Sequence, residues 1–440
     1  MSLFGAMGTA ISGLTAESAA FTNISDNVAN SQTVGFKRVD TNFIDYLTTS
    51  TATVNDSGAV ATTPSYVNNV QGTIAQTDDA LGLAISGQGF FAVSEATTSS
   101  TGAPVFQTQQ YYTRAGDFRM DKNGYMVNSA GQYLNGWAVN SATGVVNQNA
   151  LAPIQVTQTA FNPVATTNVS LSANLPATPT ANTATASNPL SSQVDVYDAL
   201  GTLHTVDLNW SQNASGDWTV SVVSPDDVSS TAIGTADVQF GAVSGNGVPE
   251  GTVGQIGSTT GSVSTSGYAA NQPATLTFNT NFGSGTQTIT LSLGTYGGSN
   301  GLTQYAGTDY SLRGLTQNGI PPGAFSSVTT QSNGDIVVNY DNGQSRIIAQ
   351  VPVVTFNDPN ALQSQNGEAF TATQSSGSPL AEAAGNNGAG SLVTQSVEGS
   401  NVDIATEFSK LIVAQQAYSA NAKMITSANQ MLQTTIDMKQ

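Results

Sequence analysis

The sequence contains no cysteine, one histidine, and ten lysines and arginines against 28 aspartates and glutamates. Without cysteine there is no disulfide staple, no thiolate metal site and no thiol nucleophile. One imidazole, His204, cannot build a zinc site alone. A net charge of −18 leaves too few cations to displace counterions from a phosphate backbone, so nucleic acid is excluded as a partner. No apolar run reaches the roughly 18 residues that a membrane-spanning helix needs. The opening stretch MSLFGAMGTAISGLTAESAAF ends near small residues but has no basic segment before it, the first cation being Lys37. A cleaved secretion signal is therefore not expected, and export would have to leave the chain uncut.

What replaces the missing charge is glycine, 44 residues of it, with a surplus of Thr, Ser, Asn and Gln. Charged residues make up only 9% of the chain, a balance that suits short strands and turns in extracellular or assembly proteins. At 440 residues the chain has room for several domains.

Helical periodicity is confined to the two ends. Leu3, Met7, Ala10, Leu14, Glu17, Phe21, Ile24 and Val28 alternate steps of four and three, with Glu17 as the one charged interruption. Ile404, Phe408, Leu411, Gln415, Tyr418, Ala422, Ile425, Asn429, Leu432 and Ile436 repeat the spacing at the other end. Ser400 or Asp403 offers a cap for this second helix. Acidic residues come early (Asp403, Glu407) and lysines later (Lys410, Lys423, Lys439), which suits the helix dipole. A sustained seam with polar Gln415 and Asn429 in it reads as a coiled coil made by both ends, the two series serving as an assembly seam.

Between the ends the pattern is β. Asn123-Gly124, Ala130-Gly131, Asn333-Gly334 and Asn342-Gly343 punctuate alternating apolar runs, a strong hairpin signal. The segments LPATPTANTATASNP and VSGNGVPEGTVGQIGSTTGSVSTSG are of low complexity and read as long loops or linkers. The expected class is multidomain: an α-helical coiled-coil domain formed by both ends, plus mainly-β domains nested by insertion. The layout is a helix at 1–30, a hinge at 31–70, a discontinuous β domain at 71–144 and 316–395, an inserted outer β domain at 145–315, and a helix at 396–440.

No residue set argues for catalysis, a metal or a cofactor. Asp198 and Asp207 lie near His204 in sequence, but no Gly-x-Ser-x-Gly elbow surrounds a serine. Asp78-Asp79 and Asp226-Asp227 are adjacent pairs, which in a strand point to opposite faces. Asp121, in DKNG, lacks the later acidic ligands of a calcium loop and reads as a turn.

Several segments resemble a known family. NISDNVANSQTVGFKR (residues 23–38) resembles the Asn-rich motif after the first helix in axial proteins of the bacterial flagellum, the rod, hook and hook-associated family. SGQGFFAV, YTRAGDFRMDKNGYMVNSAGQYLNGW and EGSNVDIATEFSKLIVAQQAYSANAKMITSANQMLQTTIDM are similar to three further blocks, in the family's order. VYDALGTLHTVDLNW, YSLRGLTQNGIPPGAFSSV and TFNDPNALQSQNGEAF are closest in character to its hook members. The resemblance implies a structural subunit located in the extracellular flagellum. Such subunits leave by type III export and polymerise with copies of themselves into a short curved tube that transmits torque. It also implies rod proteins, hook–filament junction proteins and a hook cap as partners. A distal rod protein, or a secreted β-rich adhesin with a helical oligomerisation stalk, is the alternative.

In that reading DNVANSQTVGFKR is a hinge between the inner helix and the β domains. Asn27 and Asn30 can cap or turn, and Gly35 can adopt a backbone conformation closed to other residues. Phe36 follows it, and Lys37 and Arg38 are expected to meet carboxylates of a neighbouring subunit.

Overall fold

The computed structural model describes residues 3–50, 55–98, 104–140, 143–229 and 232–438; Lys439 and the side chain of Leu3 lie outside the described residues. The protein is mainly β, with two long helices. It divides into one unit of Met1–Gln158, Ser326–Asn339 and Ser345–Gln440, and a second of Thr159–Phe325 and Tyr340–Gln344.

The first unit holds both chain ends. Helix α1 (Leu3–Ala29) is followed by a long antiparallel hairpin, β1 (Val39–Ser50) with β2 (Asn55–Tyr66). Helix α2 (Ile404–Asp437) closes the chain. Of the two cap candidates, Asp403 takes the position, its carboxylate accepting from the Thr406 N–H at 2.8 Å. Between these elements lies an eleven-stranded sheet, in which Phe91–Thr98 runs between Pro104–Thr113 and Tyr133–Val139. Phe90, Tyr112, Phe370, Val354 and Leu362 pack as one buried cluster. Asn123-Gly124 and Asn333-Gly334 do turn the chain between strands, with Gly124 at φ 83° and Gly334 at φ 92°. Two short antiparallel pairs draw the ends together: Leu83–Ser86 with Ser391–Thr394, and Ile74–Gln76 with Ser396–Glu398.

The second unit is two sheets sharing one core. Five strands, from Leu190–Tyr197 to Val253–Gly257, form an antiparallel meander. Asn168–Asn174 lies inside the six-stranded partner sheet, parallel to Thr286–Thr295 and antiparallel to Ser311–Gln317. Alternation along Trp218–Val223 buries Trp218, Val220 and Val222, and they meet Trp210, Phe278, Leu291 and Tyr296 in the shared interior.

Two expectations are corrected here. Val146–Pro153 pairs with Tyr133–Val139 inside the first unit, so the division falls after residue 158, not at 145. The Gly-rich stretch after residue 241 is not a linker: it contributes Val253–Gly257 and Val263–Thr265, and Val253, Ile256 and Val263 are buried. A few β-branched residues at alternate positions are enough to seat a strand on an existing core, whatever the composition around them. Among the described residues no helix is long and apolar enough to cross a membrane.

Candidate functional site

The opening motif after α1 becomes the place where the two ends are tied. Asn30 closes the helix, its N–H and side-chain amide both donating to the Asp26 carbonyl at 3.0 Å. Gly35 then takes φ +74°, and its N–H donates to the Glu398 carbonyl at 2.8 Å. A Cβ there would stand 2.3 Å from the Ala115 nitrogen, so only glycine lets the chain pass. The turn delivers Lys37 into the interior. Its Nζ donates to Glu398 Oε1 at 2.5 Å and to the Val70 carbonyl at 2.7 Å, both charged side chains being fully buried. Arg114 binds the other carboxylate oxygen, NH1 to Oε2 at 2.7 Å, and also donates to the carbonyls of Ile85 and Gly87. Its guanidinium lies over the Phe90 ring, 5.3 Å from the centroid. The Gly72 N–H completes the set on Glu398 at 2.8 Å.

This buried cluster holds two cations and one anion. Burial, and secondarily the neighbouring Arg114, pull the Lys37 ammonium down to about 8, against the opposing attraction of Glu398. The expectation that Lys37 meets a neighbour's carboxylate is therefore corrected: its charge is spent inside its own chain. A lysine with no room for water needs a carboxylate at once, and Glu398 is the one the fold supplies. Arg38 stays near the surface, its Nε 3.4 Å from Asp40 and its N–H on Asn401 Oδ1 at 2.8 Å. Phe36 is half-buried, and its carbonyl accepts from the Asn401 N–H.

A second polar cluster lies at the base of the helices. Asn27 is buried and bonds both backbone groups of Val39, and its amide also donates to Glu407 Oε2 at 3.1 Å. Lys410 reaches Glu407 at 2.7 Å and Asp40 at 2.6 Å. Burial pulls Lys410 down, but the hydrogen bonds to Asp40 and Glu407 outweigh it and leave it raised. Sequence reasoning missed Glu398, Arg114 and Asn401, and read Glu407 only as an acidic residue early in the helix. The one local signal for Glu398 is a carboxylate closing the short strand SVE, where it needs a cation if buried.

Above this base α1 and α2 run against each other, from Asn27 beside Glu407 to Gly13 beside Asn421. Ala10 and Ile24 of the N-terminal series are buried, while Met7, Leu14, Phe21 and Val28 are half-buried. Leu411, Ala422, Ile425 and Leu432 are half-buried on α2. Ile404, Phe408, Gln415, Tyr418, Asn429 and Ile436 are exposed, although the Tyr418 ring still meets Phe21 edge-on at 6.4 Å. The fully buried α2 positions are Glu407, Ala414 and Ala428, each one residue before Phe408, Gln415 and Asn429. The pair thus packs on small residues, and a Cβ on Gly13 would come within 2.8 Å of the Asn421 amide. Ala16 and Ala20 do the same on α1. The hairpin takes the other flank of α1, with Val60 N–H on Ser12 Oγ at 3.0 Å and Asn23 on Thr41 at 2.7 Å. No sequence pattern announced that neighbour.

A cleft of about 540 Å³ opens between α1, β1 and α2, walled by Ala20, Ile24, Phe43 and Val413. Glu17 stands in it, and partial burial pushes its carboxyl up.

Elsewhere the candidate chemistry does not assemble. His204 stacks flat on Phe282 at 4.0 Å, with Nδ1 3.3 Å from Asp226 and Nε2 3.7 Å from Asp198. Among the described residues no hydroxyl is bonded to it. Asp227 turns away to Thr280 and the Asn281 N–H. Asp121 accepts from the N–H groups of Asn123 and Tyr125, which is a turn. No described group of three His, Cys, Asp or Glu is placed to hold a metal ion.

A packing junction beneath a helix pair, with large apolar side chains facing outward, defines a structural class of protein. Four family models match successive parts of the chain. "Flagella basal body rod protein" covers residues 7–37, and "Flagellar hook protein FlgE/F/G D1 domain" covers 84–174. "Flagellar basal body protein FlaE D2 domain" covers 165–320, and "Flagellar basal body rod FlgEFG protein C-terminal" covers 393–438. The flagellar hook protein FlgE of Brucella suis biovar 1 is 31% identical over 439 residues, covering 100% of both chains. That of Salmonella typhimurium is 29% identical over 438 residues, covering 98% of this chain and 99% of its own. The chain belongs to the flagellar hook protein family. A crystal structure of the Helicobacter pylori flagellar hook protein FlgE2 superposes with a TM-score of 0.46 at 14% identity, covering 72% of this chain and 98% of that one.

Proposed function

We propose that this chain is the structural subunit of the bacterial flagellar hook, polymerising into a short, curved, hollow tube that couples rod to filament and passes torque while bending. The observation that carries the reading, beside the family, is the outward face of α2. Phe408, Ile412, Met424 and Met431 are each more than half exposed there, and Ile436 is exposed at the end of the helix. Exposed apolar side chains over that much of a helix make an interaction surface, since each stabilises by about 1.5–3 kcal/mol when fully buried. In this reading the end helices of neighbouring copies complete one another as a coiled-coil lining of the channel. The chain is exported uncut by the type III apparatus and meets rod, junction and cap proteins at the ends of the tube. It catalyses no reaction. Electron microscopy of concentrated protein tests this: tubes with helical symmetry are expected. Closed trimers would favour an adhesin stalk, and monomers at every concentration would overturn the reading.

A further inference from the structure

Carboxylates outnumber cations almost three to one, so where each cation goes is informative. Lys37 and Arg114 are used on Glu398, and Arg38 and Lys410 on Asp40. Arg313 is turned onto the carbonyls of Ala173 and Gly301. Among the described residues of the end helices, one cation has no carboxylate: Lys423, exposed on α2 and flanked by the small residues Ser419 and Ala420. One carboxylate of the same helices has no hydrogen bond or ion pair: Glu17, beside Ala20, Phe43 and Val413 in a cleft that is also lined by Asp40, Glu407 and Lys410, which pair with one another. Asp26 is different, because it is exposed to water and loses nothing by staying unpaired.

Glu17 and Lys423 do not meet in one chain. The α2 residues that line the cleft run from Thr406 to Ala414, and the nearest to Lys423, Ala414, is nine positions before it, which at 1.5 Å per residue is about 14 Å along the helix. A second copy shifted by about that distance brings its Lys423 level with the cleft. The small residues beside Lys423 let its helix approach closely, and the lysine stem can lie along apolar walls while its ammonium reaches the carboxylate.

We propose that the cleft between α1, β1 and α2 receives the α2 helix of a second copy, displaced by about 14 Å along the helix axis, with the incoming Lys423 paired to Glu17. This rests on the reading of the chain as a polymer subunit, and deepens it by naming one contact and its stagger. The pairing stabilises because Glu17 already stands partly desolvated, so its charge gains more from a cation than an exposed carboxylate would.

The test is charge reversal of the full chain, with the onset concentration for tubes as readout. Glu17→Lys alone and Lys423→Glu alone should each raise it about tenfold or more at low salt. The double variant, Glu17→Lys with Lys423→Glu, should return it to within about threefold of the parent. Because Lys423 is exposed and Glu17 has no partner in the monomer, its melting midpoint should stay within about two degrees in all three. The absence of native cysteine allows a second reading of the same contact. Glu17→Cys combined with Lys423→Cys, treated with a short bis-maleimide in assembled tubes, should give a ladder of linked subunits, and each single cysteine variant should not. Tubes from both single reversals at the parent concentration would overturn the pairing and leave the polymer reading intact. So would a double reversal that fails like the singles, or a double-cysteine tube without a ladder. A parent chain that never forms tubes would overturn the polymer reading and this contact with it.

Discussion

The two-sheet unit and the end helices use apolar residues in opposite ways. In the two-sheet unit the largest side chains are innermost: Trp210, Trp218, Phe278 and Tyr296 are fully buried, and the alternate positions face out. In the helix pair the innermost apolar residues are, apart from Ile24, the smallest, Ala10, Ala16, Ala20, Ala414 and Ala428, while Phe408, Ile412, Met424 and Met431 are exposed. A core that holds its own tryptophans is finished when the chain folds. A pair that buries alanines has brought two backbones close but left most of its apolar area in water, so its completion requires other molecules. The junction at the base of the pair is internally complete, through Lys37, Arg114 and Glu398 and through Asn27, Glu407 and Lys410.

The sharpest way to break that contrast is at the base. Lys37→Glu would set two carboxylates together without water, and losing one partner of a buried pair typically costs about 3–5 kcal/mol. The urea midpoint of the monomer should fall accordingly. An unchanged midpoint would mean that the cluster is not closed in solution. Trp210→Ala should cost a similar amount, about 3–5 kcal/mol, by leaving a cavity in the two-sheet core. Hydrogen exchange should then quicken in Thr159–Phe325 and not in α1 or α2.

A smaller effect follows pH. Lys37 falls to about 8 in the folded chain, below its unfolded value of 10.5, so between these values the unfolded state binds more protons. Its contribution to stability therefore rises as pH increases through that window and is lost as pH falls below about 8. Between pH about 7.5 and 9.5 the parent should gain about 1–2 kcal/mol relative to Lys37→Met. A parallel or declining difference would contradict the buried geometry. Asp403→Ala, removing the α2 cap, should destabilise the start of α2, read as faster exchange in its first turn. At the small end, Met431→Ser should change the stability of the monomer by less than about 0.5 kcal/mol. It should nevertheless suppress tube formation, since Met431 is exposed in the monomer. Equal tube yields would show that the outer face of α2 is not an assembly surface.

Much of this was legible because it is local. Seven-residue spacing from Leu411 to Leu432 specifies a helix with one apolar stripe, and an Asn-Gly pair specifies a turn, whatever the remainder of the chain does. The phase of the stripe was not local. Ile404, Phe408 and Ile436 satisfy the spacing as well as Ala414 and Ala428 do, and side-chain hydrophobicity ranks them higher. Close backbone approach favoured the alanines instead, because α1 offers Gly13, Ala16 and Ala20 on its facing side. The strands hidden in the Gly-rich stretch after residue 241 were illegible for a similar reason. Val253, Ile256 and Val263 are too dilute to form a pattern, and it is the Trp210–Trp218 core that gives them somewhere to bury.

By itself the sequence determined that both ends are helical, that turns fall at particular Asn-Gly pairs, and that thiol chemistry is not open to this chain. Each of these depends on residues a few positions apart or on composition alone. Only the tertiary structure decided that Lys37 belongs to Glu398, 361 residues further on, and that Asn27 shares Glu407 with Lys410. Nothing near a buried charge in sequence names its partner. Dehydration makes a partner obligatory, and the fold alone determines which carboxylate stands within reach.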